Sequence, residues 1–195
     1  SKRKLIDAVG KVLKTKGYTG LSATNIAKAA GLSRRLITMY FDSTDNLIET
    51  YVRNKDYWVE ASGNVGEMIV DNRGRNTQKI IDYLLQNQLD FFYNNPEMQK
   101  LILWEISKKT EIMYEVCNDR ERFGSKIFEL TDMELQGRNI DIRAVSALLV
   151  AGIYYIVLHA KSTDTTFCEI DINQPEGMQR IKNAVSLILD MTYNN

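Results

Sequence analysis

The sequence contains few of the residues that mark several common classes of site. Its 195 residues include two cysteines, two prolines and one histidine. Cys117 and Cys168 allow one disulfide at most, so a disulfide framework is excluded and a reducing compartment is favoured. We expect two buried free thiols rather than a redox sensor. One histidine and two distant cysteines do not make a typical His/Cys metal site, so we predict no metal and no cofactor.

Signals of catalysis and of secretion are missing as well. We find no phosphate-cradling glycine loop, no nucleophile elbow and no dinucleotide fingerprint. The first residues contain no apolar signal region. With 44% hydrophobic residues, a chain of this length can bury a substantial core without metals or disulfides. These observations predict a cytoplasmic protein that is not an enzyme.

Only one long hydrophobic run is present, between Arg143 and Lys161. A bilayer requires about 20 apolar residues, whereas this run is shorter and includes Ser146 and His159. The alternative is a helix buried on several faces, and the chain has no other candidate span. We therefore predict no contact with a membrane.

Residues 22–41, SATNIAKAAGLSRRLITMYF, contain two short amphipathic helical patterns. Ser22 can cap the first helix, and Gly31 can end it because glycine tolerates a positive φ. Ser33 can cap the second helix, which opens with Arg34 and Arg35. This pattern predicts a helix-turn-helix, whose second helix reads bases with its N-terminal residues. The alternative is an ordinary helical hairpin with solvated arginines.

The distribution of charge favours DNA binding over that alternative. The whole chain is neutral, but residues 1–41 hold nine basic residues and one acid. The two parts of the chain therefore carry charges of about +8 and −8. A basic end beside an acidic body is typical of a protein that binds phosphates with one end.

With these features, residues 4–51 resemble the N-terminal domain of the TetR family of transcriptional repressors. The resemblance rests on a first helix, KLIDAVGKVLKTKGY, on the LSATNIAKAAGLS motif, on a recognition helix ending in Tyr40-Phe41, and on the following DSTDNLIETYV. It implies a DNA-binding domain at residues 1–45 and a ligand-binding and dimerisation domain at residues 46–195. It also implies binding to a near-palindromic operator in double-stranded DNA.

Ten residues are predicted to contact DNA, from the helix-turn-helix pattern and from this resemblance. They are Ser22, Thr24, Ser33, Arg34, Arg35, Leu36, Thr38, Tyr40, Ser43 and Thr44. The chain departs from the family's usual residues at positions 35, 36, 38, 39 and 44, so the operator sequence is not predicted. Phe41 is expected in the core.

The rest of the chain predicts an all-α protein with about nine helices. After the helix that starts near Thr44, a break is expected over residues 63–76. Further helices are expected over residues 77–93, 97–109, 110–130, 141–161 and 175–193, with Asn95 and Pro96 opening the second of these segments. Residues 163–172 alternate only weakly in hydrophobicity, and we predict a loop there.

The last two helices have apolar residues on more than one face, which predicts two packing partners for each. One partner is the chain's own core, and the other is predicted to be the same pair of helices in a second subunit, as the resemblance implies. The resulting homodimer would form a four-helix bundle across a twofold axis. The residues predicted at this interface are Ala147, Ala151, Tyr154, Ile181, Val185 and Ile188.

Aromatic residues are frequent where the resemblance implies a ligand cavity. An unknown small-molecule effector, apolar or aromatic, is predicted to contact Tyr83, Phe91, Trp104, Tyr114, Phe123, Tyr155 and His159. The alternative for each of them is ordinary core packing. The predicted function is a ligand-responsive repressor, and the alternative is a helical DNA-binding or protein-interaction module without an effector.

Overall fold

A computed structural model describes residues 1–71 and 75–194, and the side chains of residues 59, 60 and 62 are not described. It confirms the predicted all-α class and has ten α-helices within the described residues, where the sequence predicts nine. Outside the helices, Phe167 and Ile170 form one isolated β-bridge in the predicted loop. The helices are α1 (Lys2–Lys16), α2 (Ala23–Ala30), α3 (Arg35–Phe41), α4 (Thr44–Lys55), α5 (Tyr57–Asp71), α6 (Thr77–Asn94), α7 (Pro96–Ser107), α8 (Glu111–Glu134), α9 (Ile142–Thr163) and α10 (Pro175–Tyr193).

Side-chain caps set the starts of several helices. The Ser22 hydroxyl accepts a hydrogen bond from the backbone N–H of Asn25, and the Ser43 hydroxyl accepts one from Asn46. Asn95 and Asp141 cap α7 and α9 in the same way, each accepting from the backbone N–H three residues ahead. Such caps satisfy N–H groups that have no partner within the helix.

The additional helix comes from a break at Asp56, where the sequence predicts one continuous helix. Asp56 has an extended backbone, and its carboxylate accepts a hydrogen bond of 2.9 Å from the Trp58 N–H, which starts α5. The break predicted from residue 63 onward is wrong, because Gly63 and Gly66 lie inside α5. Residues 72–74 of that predicted break lie outside the described residues.

The chain divides into two compact units. Unit 1 comprises Ser1–Val59 and Asn95–Arg120, and unit 2 comprises Glu60–Asn94 and Glu121–Asn195. In unit 1, α1 packs against α2, α4 and α7, and α3 packs against α4. The predicted division after residue 45 stays a prediction; the compact unit that contains the helix-turn-helix also takes in α4 and α7.

One close approach shows how tightly α1 and α4 pack in unit 1. A Cβ atom at Gly10 would lie 2.8 Å from the hydroxyl oxygen of Tyr51, which is nearer than such atoms normally come. Glycine therefore allows α1 to approach α4 at this point. The contact fixes the first helix of the DNA-binding segment against the fourth.

In unit 2, α6 packs against both α9 and α10. Polar side chains join α6 to α10: Lys182 pairs with Asp90 at 2.6 Å, and Ser186 donates to Asp82 at 2.7 Å. Within the described residues, α9 is the one helix long and apolar enough to cross a membrane. That is weak evidence for a membrane span, because core helices of soluble proteins have the same length and composition.

The two cysteines are free thiols and lie in different units. Cys117 is half-buried in unit 1, whereas Cys168 is exposed in unit 2. The expectation that both are buried is wrong for Cys168, which lies in the loop between α9 and α10 and has a positive φ of 51°.

Candidate DNA-binding and effector sites

The turn between α2 and α3 has the geometry of a helix-turn-helix. Gly31 has φ 65° and ψ 35°, the left-handed conformation that ends α2, and its N–H bonds back to Ala27 and Lys28. Ile37 and Phe41 are buried on α3 and hold it against the domain. The expectation that Phe41 lies in the core is therefore met by its burial.

The opposite face of α3 is open to solvent. Five of the residues predicted to contact DNA are exposed on it or at its ends, and Leu36 is half-buried. Because a recognition helix must present side chains beyond its own core contacts, this is the face that can enter a major groove. The exposed residues are Ser33, Arg34, Arg35, Thr38 and Tyr40.

Two hydrogen bonds organise the start of α3. The Arg34 guanidinium donates to the Thr24 hydroxyl at 3.3 Å, which links the recognition helix to α2. The Ser33 hydroxyl accepts from the Arg35 N–H at 3.2 Å. The N-cap residue of α3 is Arg34, without a side-chain cap, so the prediction that Ser33 caps this helix is wrong. Arg34 is thereby positioned by the helix-turn-helix itself, whereas the Arg35 side chain extends from the exposed surface.

The start of α4 offers a second group of hydrogen-bond donors. Ser43 caps this helix, and Ser43 and Thr44 are both half-buried. The first N–H groups of a helix point outward and carry a partial positive charge, which favours a phosphate oxygen. Ser22 and Thr24 are exposed at the start of α2.

A half-buried carboxylate that the sequence analysis did not single out, Glu97, connects α7 to α1 and α4. Glu97 accepts a hydrogen bond of 2.5 Å from the Tyr51 hydroxyl and pairs with Lys14 at 2.5 Å and Lys55 at 3.3 Å. We call these four residues the Glu97 cluster. It connects α1, α4 and α7 within unit 1, and one of the seven lysines and arginines of residues 1–28 is thereby held by an acid.

The charges of the Glu97 cluster shift the acidity of its members. Burial raises the pKa of Glu97, but the hydrogen bonds from Lys14, Tyr51 and Lys55 outweigh it and lower the pKa to about 2. Burial, followed by the hydrogen bond to Glu97, raises the pKa of Tyr51 well above its ordinary value. The cluster is therefore a carboxylate held ionised by two lysines and a neutral tyrosine at neutral pH.

A second charged cluster lies at the α4–α5 break. Asp56 is 2% exposed and pairs with Arg120 at 2.6 Å, and Arg120 also pairs with Glu105 at 2.5 Å. The second oxygen of Asp56 caps α5. Because each charge has an opposite charge beside it, the burial of Asp56 is compensated.

The residues predicted to contact an effector fall in both compact units. Trp104 and Tyr114 belong to unit 1, where Trp104 is buried and stacks on Tyr18 with ring centroids 6.0 Å apart. Tyr83, Tyr114 and Tyr155 are exposed. Phe91 and Phe123, in unit 2, are half-buried. Ligand contact by these residues stays a prediction.

Two of the predicted effector residues share an aromatic cluster at the end of α9. The Tyr155 ring lies 5.8 Å from the His159 ring and 5.1 Å from the Phe167 ring. The His159 Nε2 atom is 3.1 Å from the Thr165 hydroxyl. His159 is thus engaged with the loop that follows its own helix.

Unit 2 also holds buried polar groups that lack partners. Both side-chain polar atoms of Gln88 on α6, and the hydroxyl of Ser146 on α9, are buried with no hydrogen-bond partner among the described residues. Sequence reasoning missed Gln88, because a glutamine between apolar residues at helical spacing does not reveal whether it has a partner. Orphaned buried polar groups are rare in folded proteins and require an explanation.

The helices predicted to dimerise carry exposed apolar stripes. On each helix, members are spaced at three and four residues and point away from the chain's own core. We call these residues the apolar face. They are Ala144, Ala147, Leu148, Ala151 and Tyr155 on α9, and Ala184, Leu187, Ile188 and Met191 on α10.

The predicted dimer contacts fall partly on this face. Ala147, Ala151 and Ile188 belong to it. Val185 is 4% exposed because it packs inside unit 2, and Ile181 and Tyr154 are half-buried. The sequence showed two apolar stripes on α10 but not which of them faces the chain's own core. Contact of these residues with a second subunit stays a prediction.

The N-terminal segment matches a known family. Residues 5–51 match the family model of bacterial regulatory proteins of the tetR family. The comparison with curated protein sequences gives no match. The family match covers the helix-turn-helix, the helix before it and most of α4.

Solved structures share the fold along nearly the whole chain. The transcriptional regulator FadR from Bacillus subtilis, solved in complex with stearoyl-CoA, is 15% identical with a TM-score of 0.70, and the similarity covers 97% of each chain. The fatty acid degradation regulator FadR from Bacillus halodurans is 17% identical with a TM-score of 0.69, covering 97% of this chain and 98% of that one. A TetR transcription regulator from Haloarcula marismortui is 17% identical, with a TM-score of 0.65 over 98% and 97% of the two chains.

Sequence identities of 15–17% show that these proteins share a fold with this chain and no more. The family match, in contrast, is a match in sequence, and it covers the segment that contains the helix-turn-helix. The matched segment is the one in which the structure places a capped helix-turn-helix with an exposed recognition face. Residues 5–51 therefore form an N-terminal domain of the kind found in bacterial regulatory proteins of the tetR family, and the described chain shares its fold with the solved regulators named above.

Proposed function

We propose that this protein is a dimeric transcriptional repressor that leaves its operator when a small molecule binds to unit 2. The observation that carries the proposal is the exposed face of α3, with Arg34 and Arg35 at its start, inside a segment that matches the TetR family. In this proposal α3 enters the major groove, and the start of α4 binds a backbone phosphate. The protein would act on DNA in the cytoplasm.

The apolar face supports the dimeric form of this proposal. Isolated exposed apolar residues are normal, but stripes on two neighbouring helices are typical of an interaction surface. A second copy offers the same stripes, and a twofold arrangement buries all of them together. Two recognition helices related by a twofold axis would read half-sites about 34 Å apart.

The effector part of the proposal is supported by the relatives in fold. The FadR structure from Bacillus subtilis contains stearoyl-CoA. For this chain we propose an apolar effector of unit 2 that prefers the conformation in which the recognition helices do not match the operator. Since the coupling is reciprocal, the operator must weaken effector binding by the same factor.

The central test is the binding of promoter DNA flanking the protein's own gene, measured by fluorescence anisotropy at several stated salt concentrations. We expect one fragment to bind at least 1000-fold more tightly than unrelated DNA, as specific regulators commonly do (~10³ or more). Equal affinity for all DNA would refute the proposal that the protein is an operator-specific regulator.

Single substitutions in α3 test the roles of the two arginines. For Arg34→Ala we expect weaker binding to all DNA and a salt dependence reduced by about one phosphate contact, because a phosphate contact carries no sequence information. For Arg35→Ala we expect a loss of about 1–3 kcal/mol that depends on one operator base. The matched control is Arg180→Ala, an exposed arginine on α10. An effect of the control equal to either variant would contradict these roles.

The exposure of Tyr83, Tyr114 and Tyr155 favours a second candidate, a DNA-binding dimer without an effector. The two candidates differ in one measurement. Operator release by compounds that bind to the isolated dimer is expected for the first candidate and not for the second. Titration of the operator complex with a panel of apolar compounds separates them.

A further inference from the structure

The inference begins with Gln88, which lies midway along α6 and is 1% exposed. Its amide nitrogen and its amide oxygen are both buried, and neither has a partner among the described residues. A buried amide that donates to nothing and accepts from nothing destabilises the folded state, because it gave up its hydrogen bonds to water. A residue with this cost is expected to have a compensating role.

The Gln88 side chain belongs to the face of α6 that turns toward α9. Phe92, one helical turn further along, meets Tyr154 of α9 edge to face with ring centroids 4.9 Å apart. The polar contacts of α6 with α10 use a different row, which includes Asp82, Gln86 and Asp90. Gln88 therefore faces the packing between α6 and α9, together with the buried Leu84.

Ser146 on α9 is the second orphaned group in the same packing layer. The two helices run in the same direction. Tyr193 contacts Thr77 at the start of α6 and Arg138 just before α9, and Lys161 near the end of α9 lies over the Tyr93 ring near the end of α6, at 3.5 Å. Gln88 is one turn before Phe92, and Ser146 is two turns before Tyr154. Neither group has a hydrogen-bond partner among the described residues, so the two do not bond to each other.

The buried residues of unit 2 favour an uncharged occupant. Among the described residues, Asp56 is the one charged residue that is fully buried, and it belongs to unit 1. A carboxylate or an ammonium group placed beside Gln88 would have no fully buried opposite charge in unit 2 to pair with, and burial of an unpaired charge is costly. The neighbouring buried residues on α6 and α9 are apolar, including Leu84, Ile153 and Val157.

We propose that Gln88, with Ser146, holds the uncharged polar head group of the effector between α6 and α9. The head group both accepts and donates hydrogen bonds, as a primary carboxamide or an undissociated carboxylic acid does, and it is attached to an apolar body. The Gln88 nitrogen donates to the carbonyl oxygen of the ligand, and the Gln88 oxygen accepts from its N–H or O–H. This proposal rests on the proposed effector response and specifies its chemistry.

The test is isothermal titration calorimetry of the full chain, without DNA, against decanamide, decanoate at pH 8 and decyltrimethylammonium. We expect decanamide to bind at least tenfold more tightly than either charged compound. We expect Gln88→Leu to weaken decanamide binding at least tenfold and Ser146→Ala to weaken it by a smaller factor. Equal binding of the three compounds, or no binding of decanamide at its solubility limit, would overturn the proposal.

Thermal unfolding without ligand gives a second readout, and Gln86 provides the matched control. Gln86 is satisfied, since its amide donates to the Lys182 carbonyl and to Ser186. We expect Gln88→Leu to raise the Tm, because it removes an unsatisfied amide, and Gln86→Leu to lower it. A Tm lowered as much by Gln88→Leu as by Gln86→Leu would show that Gln88 has partners in the free protein, and the proposal would fail.

These outcomes are separate from those of the operator test. If the protein binds its operator but decanamide fails to bind, the regulator stands and the head-group assignment falls. If decanamide binds through Gln88 but no DNA is bound specifically, the proposed head-group site is supported and the proposed operator-binding function is refuted.

Discussion

The two compact units differ in whether their buried polar and charged side chains have partners within the chain. In unit 1 the buried or half-buried acids Glu97, Asp56 and Glu105 each contact a lysine or an arginine. In unit 2 the amide of Gln88 is buried without a partner among the described residues, and apolar side chains such as Leu148 are exposed.

This difference indicates which unit needs a second subunit or a ligand to complete its contacts. The acids Glu97, Asp56 and Glu105 are paired within unit 1, and the indole N–H of Trp104 is its one buried side-chain polar group without a described partner. Unit 2 has both an apolar surface and orphaned buried polar groups. A second copy would cover the surface, and a ligand would satisfy the polar groups.

The largest expected effect tests whether the buried ion pairs of unit 1 stabilise its fold. Asp56→Ala removes one of the two acids paired with Arg120, the fully buried one, and also removes the cap of α5, so Arg120 keeps Glu105 alone. We expect a loss of about 3–5 kcal/mol in the free energy of unfolding. Chemical denaturation measures it, with Asp7→Ala, an exposed acid on α1, as the control. A loss below that of the control would mean that the Asp56 pair does not stabilise unit 1.

The second effect tests the apolar face of unit 2. Leu148 is 75% exposed on α9, and Ile106 is 70% exposed on α7 of unit 1. We expect Leu148→Glu to weaken the dimer about 100-fold, which is about 2.7 kcal/mol, because the acid must be buried at the interface. Ile106→Glu is expected to leave the dimer intact.

Sedimentation over a range of concentrations measures both dimers. Equal dissociation by the two glutamate variants would show that the substitutions act through solubility or folding. A fully dimeric Leu148→Glu protein would place the interface elsewhere.

The smallest effect tests the Glu97 cluster. Because the folded-state pKa of Glu97 is about 2, below its ordinary value of 4.5, the ionised form stabilises the folded state above pH 4.5. This stabilisation is lost as the pH falls from 4.5 toward 2. For Glu97→Gln we expect a loss of about 1–3 kcal/mol at pH 7, discounted for the exposed lysines.

The pH dependence provides the control for that variant. Denaturation of the wild type and of Glu97→Gln between pH 7 and pH 3 should give curves that converge as the pH falls. Parallel curves would mean that the substitution acts through packing, and the charge of Glu97 would then not be the stabilising element.

Much of the fold could be predicted because the helix starts depend on nearby residues. Ser22, Ser43 and Asn95 each cap a helix through a backbone N–H three residues away, and such local contacts are visible in the sequence. Gly31 ends α2 by its own conformation. These signals located the helix-turn-helix and the order of the helices.

The errors come from contacts between distant parts of the chain. Asp56 breaks the helix predicted to continue from Thr44, and its partner Arg120 lies 64 residues away. The glycines at 63 and 66 suggested a break, but they lie inside α5, where helix packing overrides a modest local preference. In the same way, the orphan state of Gln88 depends on what faces it across α9.

The shortness of α3 has a consequence for how this protein can change over evolution. The helix has seven residues and would not be stable alone; Ile37 and Phe41 hold it by burial. Arg35, Thr38 and Met39 are exposed and make no core contact that substitution would disrupt. Their identities can therefore drift at little cost to folding, so a duplicated gene could acquire a new operator through a few substitutions while keeping its scaffold.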